Sequence, residues 1–99
     1  MSIRGVVVLA GDRNVREGAA YELRARGIRV RELAAADELA MLDPGAAPIA
    51  IFVEMRNLDE DRLRALVPVA LRETPFIDIP PHFLGEELVE ALRAGTSPE

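Results

Sequence analysis

The chain has 99 residues, 49% of them hydrophobic, and a formal net charge of −5 at pH 7. This length is typical of one small domain with a single core. The acidic total and the scarcity of aromatic residues argue against a nucleic-acid-binding surface. Because the sequence contains no cysteine and no lysine, thiolate, disulfide and lysine chemistry are excluded.

The charges are unevenly distributed along the chain. Residues 1–31 carry seven arginines and three acids, whereas residues 32–99 carry five arginines and fourteen acids. This asymmetry indicates either complementary surfaces for docking or ordinary solvated helix faces. The sequence has no apolar run of about 18 residues and no basic-then-apolar leader. We therefore expect a cytoplasmic protein without a membrane partner.

Alternating strand and helix patterns fill the first part of the chain. The first strand is rich in valine, and the helix after it ends at Gly27, a residue type that favours helix C-termini. The second strand alternates apolar and charged side chains, which is typical of an edge strand half open to water. The predicted elements are a strand at 4–10, a helix at 14–26, a strand at 28–33 and a short helix at 35–42.

The third strand, predicted at 48–54, has the clearest sequence pattern. Five consecutive apolar residues, Ile49 to Val53, precede Glu54. A strand buried on both faces requires such a run, and strands of this kind belong to parallel sheets covered by helices. Functional groups of open parallel sheets lie at the carboxyl ends of the strands. Glu54 is therefore the first candidate site residue.

The last part of the chain predicts two helices and one strand, with an ambiguity at Pro68. Helical spacing continues from residue 59 to about residue 73, so we expect a helix that is kinked at Pro68. The competing interpretation, a strand at 67–71, leaves too few residues for a parallel crossover. The remaining predicted elements are a strand at 76–79 ended by Pro80-Pro81, a helix at 83–94 with Leu84, Leu88 and Leu92 on its inner face, and a frayed tail at 96–99.

Together these elements predict a single α/β domain over residues 1–95. Consecutive right-handed crossovers give a flavodoxin-like, doubly wound parallel sheet of four strands with the connectivity βαβαβαβα. The predicted strand order is 2-1-3-4. In such a sheet the carboxyl ends of all strands lie at the same edge.

Over about residues 3–94, the order and spacing of four segments resemble a response-regulator receiver domain. Residues 6–17 are similar to the first strand, acidic loop and helix start of that family, and residues 48–58 to its third strand, phosphoacceptor and following loop. Residues 74–77 resemble the start of its fourth strand, and residues 85–93 resemble its terminal helix. The resemblance implies the flavodoxin-like fold and a role in bacterial two-component signal transduction.

The positions that accept a phosphoryl group in that family carry other residues here. The acidic pair that holds Mg²⁺ falls on Ala10 and Gly11, and Asp12 follows one position later. The phosphoacceptor aspartate falls on Glu54 and the hydroxyl residue on Pro80. The family's lysine has no counterpart, and the chain is short by one helix and one strand before the last helix. Since phosphoryl transfer needs a metal and cationic partners, we expect a degenerate, truncated pseudo-receiver without enzymatic activity, cofactor or metal.

Glu54 has two interpretations. Its carboxylate extends further than that of aspartate and can partly imitate a phosphorylated aspartate, which would switch the surface permanently. Alternatively, Glu54 is a strand-end carboxylate that pairs with an arginine such as Arg56 or Arg13. Two weaker candidates are His82, which lacks a second histidine or a cysteine for a metal site, and the acids at 59–61, which are better explained by a helix N-terminus.

The leading hypothesis is a receiver-like module that acts through protein–protein contact without phosphorylation. The missing strand leaves the fourth strand as an edge with the apolar residues Phe76, Ile77 and Ile79, and such an edge needs cover. Cover by a second copy predicts a homodimer. A histidine kinase, a transcription regulator or a scaffold protein could serve as partner instead.

The alternative hypothesis is a small α/β domain that binds a ligand or a cation. Its site would be the crevice at the ends of strands one and three. The residues expected to line it are Gly11, Asp12, Asn14, Glu54 and Asn57.

Overall fold

In the computed structural model, a parallel four-stranded sheet carries helical segments on both faces. The structure describes residues 5–54, 59–79 and 85–96. The strands are β1 (Val6–Leu9), β2 (Val30–Leu33), β3 (Ala50–Val53) and β4 (Phe76–Asp78), and the α-helices are α1 (Arg13–Arg24), α2 (Glu60–Leu66) and α3 (Gly85–Thr96). The described residues also form 3₁₀ helices at Ala36–Met41, Pro44–Ala46 and Val69–Leu71.

The strand order is β2-β1-β3-β4, and every neighbouring pair is parallel. This arrangement confirms the predicted four-stranded sheet with the order 2-1-3-4. In the register, Val6 lies between Val30 and Ala50, and Leu9 lies between Leu33 and Val53. The strands are therefore in step, and their carboxyl ends reach the same edge of the sheet.

Both faces of the sheet are covered, which explains why β1 and β3 are apolar throughout. Successive side chains of a strand point to opposite faces. One face packs under α2 and the 3₁₀ helices and contributes Val7, Leu9, Leu33, Ile51 and Val53. The other face packs under α1 and α3 and contributes Val6, Val8, Ala50, Phe52 and Ile77.

Helix α1 begins after an aspartate and ends before the glycine that the sequence indicated. Asp12 is its N-cap, and after its last turn Gly27 adopts a φ of 80°, in the left-handed region that glycine tolerates without strain. The amide of Gly27 donates to the carbonyl of Arg24 at 3.0 Å, and the amide of Ile28 donates to that of Leu23 at 3.2 Å. These bonds satisfy carbonyls of the last turn and direct the chain into β2.

The short helix predicted at 35–42 forms as the 3₁₀ helix Ala36–Met41, with Leu39 and Leu42 buried. The carboxylate of Glu38 accepts hydrogen bonds from the amides of Ala34 and Ala35, both at 2.7 Å. These two donors lower the pKa of Glu38 from its usual value. The described connection between β2 and β3 thus consists of two short 3₁₀ helices and contains no α-helix.

The predicted continuous helix with a kink at Pro68 is wrong. Helix α2 ends at Leu66, Val67 and Pro68 have ψ values of 142° and 143°, and a separate 3₁₀ helix begins at Val69. The proline ring disfavours the helical conformation for the residue before it. Val67 therefore leaves the helix instead of bending it, and the competing strand at 67–71 does not form either.

Helix α3 packs on the sheet beside α1 with Leu88 fully buried and Leu92 partly buried, as the pattern predicted. Its sequence suggests a stop at Gly95, but the helix continues to Thr96. A Cβ atom at Gly95 would lie 2.7 Å from Cδ1 of Ile77, so the glycine allows close packing of helix and sheet. Leu84, Pro80-Pro81 and the tail at 97–99 lie outside the described residues.

Candidate functional site

The structure brings together two of the predicted site positions, Ala10 and Glu54, at the carboxyl ends of β1 and β3. Leu9 and Val53 are register partners, and the amide of Glu54 donates to the carbonyl of Leu9 at 3.0 Å. Ala10 is buried and Glu54 is half-buried. Ala10 and Glu54 are therefore neighbours, and only Glu54 carries a carboxylate.

The carboxylate of Asp12 is engaged with the backbone of its own helix. Its Oδ1 atom accepts hydrogen bonds from the amides of Asn14 at 2.8 Å and Val15 at 3.4 Å. A carboxylate in this position satisfies amides that the first turn leaves without partners and interacts favourably with the helix dipole. Asp12 therefore acts as an N-cap, and this role accounts for its place directly before α1.

Arg16 is the residue at this edge that the sequence patterns did not single out. Its Nη1 atom donates to the carbonyl of Ala10 at 3.0 Å, and its side chain is only 18% exposed. Its Nε atom lies 3.9 Å from Glu32, which also pairs with Arg24 at 3.0 Å. Arg16 follows the N-cap Asp12 by one helical turn, and this spacing was the available signal.

Arg13 does not provide the ion pair suggested for Glu54. Its Nε atom bonds to Glu17 at 2.9 Å, one turn along α1. Within the described ranges no arginine forms an ion pair with Glu54, and Arg56 lies outside them. The Glu54 carboxylate thus has no ion-pair partner on α1, and the neighbouring carbonyl of Ala10 is already bonded to Arg16.

Other candidates for metal ligation take part in local structure or lie outside the described residues. Asp59 caps α2, with its Oδ1 atom accepting from the amide of Asp61 at 3.0 Å. His82 and Asn57 belong to the segments that the structure does not describe. In the part of the chain that is described, no group of three or more His, Cys, Asp or Glu side chains is placed to hold a metal ion.

We expect Asp12→Ala to destabilise the fold by about 1 kcal/mol, because two amides of α1 lose their acceptor. Asp12→Asn retains an acceptor oxygen and should stay within about 0.5 kcal/mol of the wild type, since Asn caps helices about as well as Asp. Equilibrium urea denaturation followed by circular dichroism measures both values. Equal losses in the two variants would mean that the charge of Asp12, and not its capping geometry, is what the fold requires.

The predicted interface residues of β4 are largely covered by their own chain. Ile77 is 8% exposed within the core under α3, and Ile79 is half-buried there. Phe76 packs against the opposite core, and the guanidinium of Arg64 lies 4.8 Å from the centre of its ring. The side chains of this strand therefore stabilise the monomer, and what β4 presents at the edge of the sheet is its backbone.

The edge at β2 is closed differently. Nη2 of Arg24 donates to the carbonyl of Val30 at 2.9 Å, and Nη1 of the same residue bonds to Glu32 at 3.0 Å. The Arg24 side chain thus bonds at the same time to the Val30 carbonyl and to the Glu32 carboxylate of the strand. A charged side chain across an edge strand hinders the addition of another strand.

A comparison with protein-family models gives no match, and neither the curated proteins nor the solved structures give a significant one. None of the helices within the described ranges has the length and apolar character needed to cross a membrane.

Proposed function

We propose that this chain is a receiver-like protein–protein interaction module that works without phosphorylation in bacterial signal transduction and associates with a second copy of itself. The observation that carries the proposal is the difference between the two edges of the sheet. Arg24 closes the β2 edge at the carbonyl of Val30. On its outer side, β4 pairs with no further strand within the described residues.

Independence from phosphorylation is supported by the carboxyl ends of β1 and β3. The carbonyl of Ala10 is taken by Arg16, and the carboxylate of Asp12 is taken by two amides. Stabilising a transferred phosphoryl group requires cationic groups or a metal directed at its oxygens. Among the described residues at this edge, Arg16 and Asp12 both bond to backbone groups.

The backbone of β4 suits pairing with a second copy. The amide of Ile51 donates to the carbonyl of Pro75, and the amide of Ile79 donates to that of Val53. Because residues of a strand alternate in the direction of their backbone groups, the amide and carbonyl of Phe76 are directed away from β3. Two β4 strands related by a two-fold axis would pair in the antiparallel direction and join two sheets into one.

The test is the mass of the protein in solution for two variants at one position. Phe76→Pro removes an amide that faces the outer edge and should convert a dimer to a monomer, because proline cannot donate to a ladder. Phe76→Ala loses the same ring but keeps the amide, and it should remain a dimer. Light scattering over a concentration series measures both. A substitution of Ile77 is unsuitable because its side chain belongs to the core.

A wild-type chain that stays monomeric up to about 100 μM would overturn the self-association. A different protein would then remain the candidate partner, and a histidine kinase, a transcription regulator and a scaffold are the classes to test. An equal loss of the dimer in Phe76→Pro and Phe76→Ala would overturn pairing through the strand edge, because it would place the contact on the side chain.

A further inference from the structure

We propose that the chain has a second binding site, a pocket at the amino ends of β1 and β2 that takes a small organic oxyanion with a short apolar body. The pocket has a volume of about 190 Å³. It lies at the amino ends of the strands, whereas Glu54 lies at their carboxyl ends, since its walls include Gly5 before β1 and Pro48 before β3. This proposal does not depend on the proposed interaction of β4, which is the other edge of the sheet.

Two arginines reach this pocket on the same face of the sheet as Leu33. Arg29 directly precedes β2 and Arg31 lies within it, and residues two positions apart along an extended chain point to the same face. Leu33 is 3% exposed under the 3₁₀ helix Ala36–Met41, whereas both arginines are exposed. The two 3₁₀ helices between β2 and β3 therefore leave the amino half of β2 uncovered, and both arginines line the pocket there.

Within the described ranges neither Arg29 nor Arg31 forms an ion pair with a carboxylate. The charge of Arg31 contributes to lowering the pKa of Glu38, but that carboxylate bonds to the amides of Ala34 and Ala35. Asp43 also lines the pocket, but its Oδ1 atom accepts from the amide of Gly45 at 2.8 Å. Two cations and one engaged carboxylate leave the pocket with a net positive charge. Guanidinium groups bind carboxylate and phosphate oxygens with paired, charge-assisted hydrogen bonds.

The rest of the pocket is apolar and favours a ligand with a hydrocarbon part. Val7 and Leu42 are almost completely buried, and together with Pro48 they form its wall. A cavity of about 150 Å³ lined by aliphatic side chains accepts a benzene ring, so a volume of about 190 Å³ suits one ring or a short branched chain. The ligand class is therefore a small carboxylate or phosphate monoester with one such group.

Four probe molecules distinguish the contribution of the negative charge from that of the apolar ring. Benzoate and phenyl phosphate carry both the ring and the charge, acetate carries the charge alone, and benzyl alcohol carries the ring alone. In ¹⁵N NMR titrations up to about 20 mM, a range that suits ligands this small, we expect saturable shifts at the amides of Val7 and Val30. Affinity for benzoate or phenyl phosphate should exceed that for acetate and benzyl alcohol by about tenfold or more.

Arg31→Gln and Arg29→Gln should each weaken that binding at least about tenfold, because one guanidinium is lost from the pair. Arg13→Gln is the matched control: it removes the same charge from an exposed arginine of α1, on the opposite face of the sheet. It should leave the affinity unchanged. Equal weakening in all three variants, shifts centred elsewhere, or no binding by any probe would overturn the site. A preference of one charged probe over the other identifies the carboxylate or the phosphate monoester as its ligand class.

Discussion

Replacement of Phe52 with alanine is expected to remove about 3–5 kcal/mol from the free energy of unfolding. Phe52 lies in the central strand β3 with no exposed surface, between register partners Val8 and Ile77 and under helices α1 and α3. The substitution leaves a cavity that strands paired on both sides cannot close. Small domains have a total stability of about 5–15 kcal/mol, so the variant should unfold at a much lower urea concentration.

Tyr21→Ala is the control for that experiment. It also removes an aromatic ring, but Tyr21 is 71% exposed on α1. Its effect should stay within about 0.5 kcal/mol, because little of the ring leaves water when the chain folds. A loss below about 1 kcal/mol in Phe52→Ala, or equal losses in the two variants, would contradict the central position of Phe52 in the core.

The second large effect is expected at Gly5, where Gly5→Ala should cost about 1–3 kcal/mol through overpacking. A Cβ atom at this position would lie 2.5 Å from the carbonyl oxygen of Arg29 and 2.8 Å from its Cβ. The backbone cannot move aside easily, because the carbonyl of Gly5 accepts from the amide of Ile49 at 2.7 Å and the next amide, that of Val6, donates to Arg29 at 2.9 Å. Urea denaturation measures the loss.

Gly11→Ala is the matched control at the other end of β1. A Cβ atom there meets nothing closer than the carbonyl oxygen of Ala34 at 4.0 Å. The same substitution should therefore be neutral or stabilise by up to about 1 kcal/mol, because alanine restricts the unfolded chain more than glycine. Two losses of similar size would indicate that backbone freedom, and not the contact with Arg29, governs both positions.

The strand pattern was a sound guide to the sheet because each strand reports its environment locally. The run Ile49 to Val53 predicted burial on both faces, and the strand it forms, Ala50–Val53, is fully buried. At Pro68 the pattern was misleading, since helical spacing of apolar side chains continues past a residue that ends the helix. Spacing describes which side chains face the core, and it does not describe the backbone bonds that hold them there.

The candidate site was predictable in position but not in bonding. The parallel strand pattern indicated Glu54 and the resemblance to a receiver domain indicated Ala10, and the two residues do lie side by side. The sequence does not show which of its twelve arginines reaches the edge. Arg16 bonds to Ala10 because α1 crosses the end of β1 at that point. The direction of a long side chain depends on helix placement, which spacing alone leaves open.

The sequence by itself determined the class of fold and the order of its strands, because hydrophobic periods and turn residues act over a few positions and parallel crossovers have one hand. Tertiary structure alone decided how the two sheet edges differ and where a pocket remains. The alternation of β2 specifies which face Arg29 and Arg31 occupy, but whether that face is covered depends on the reach of the connection Ala36–Ala46. How much of β2 this connection covers is decided by packing between segments that are distant in sequence.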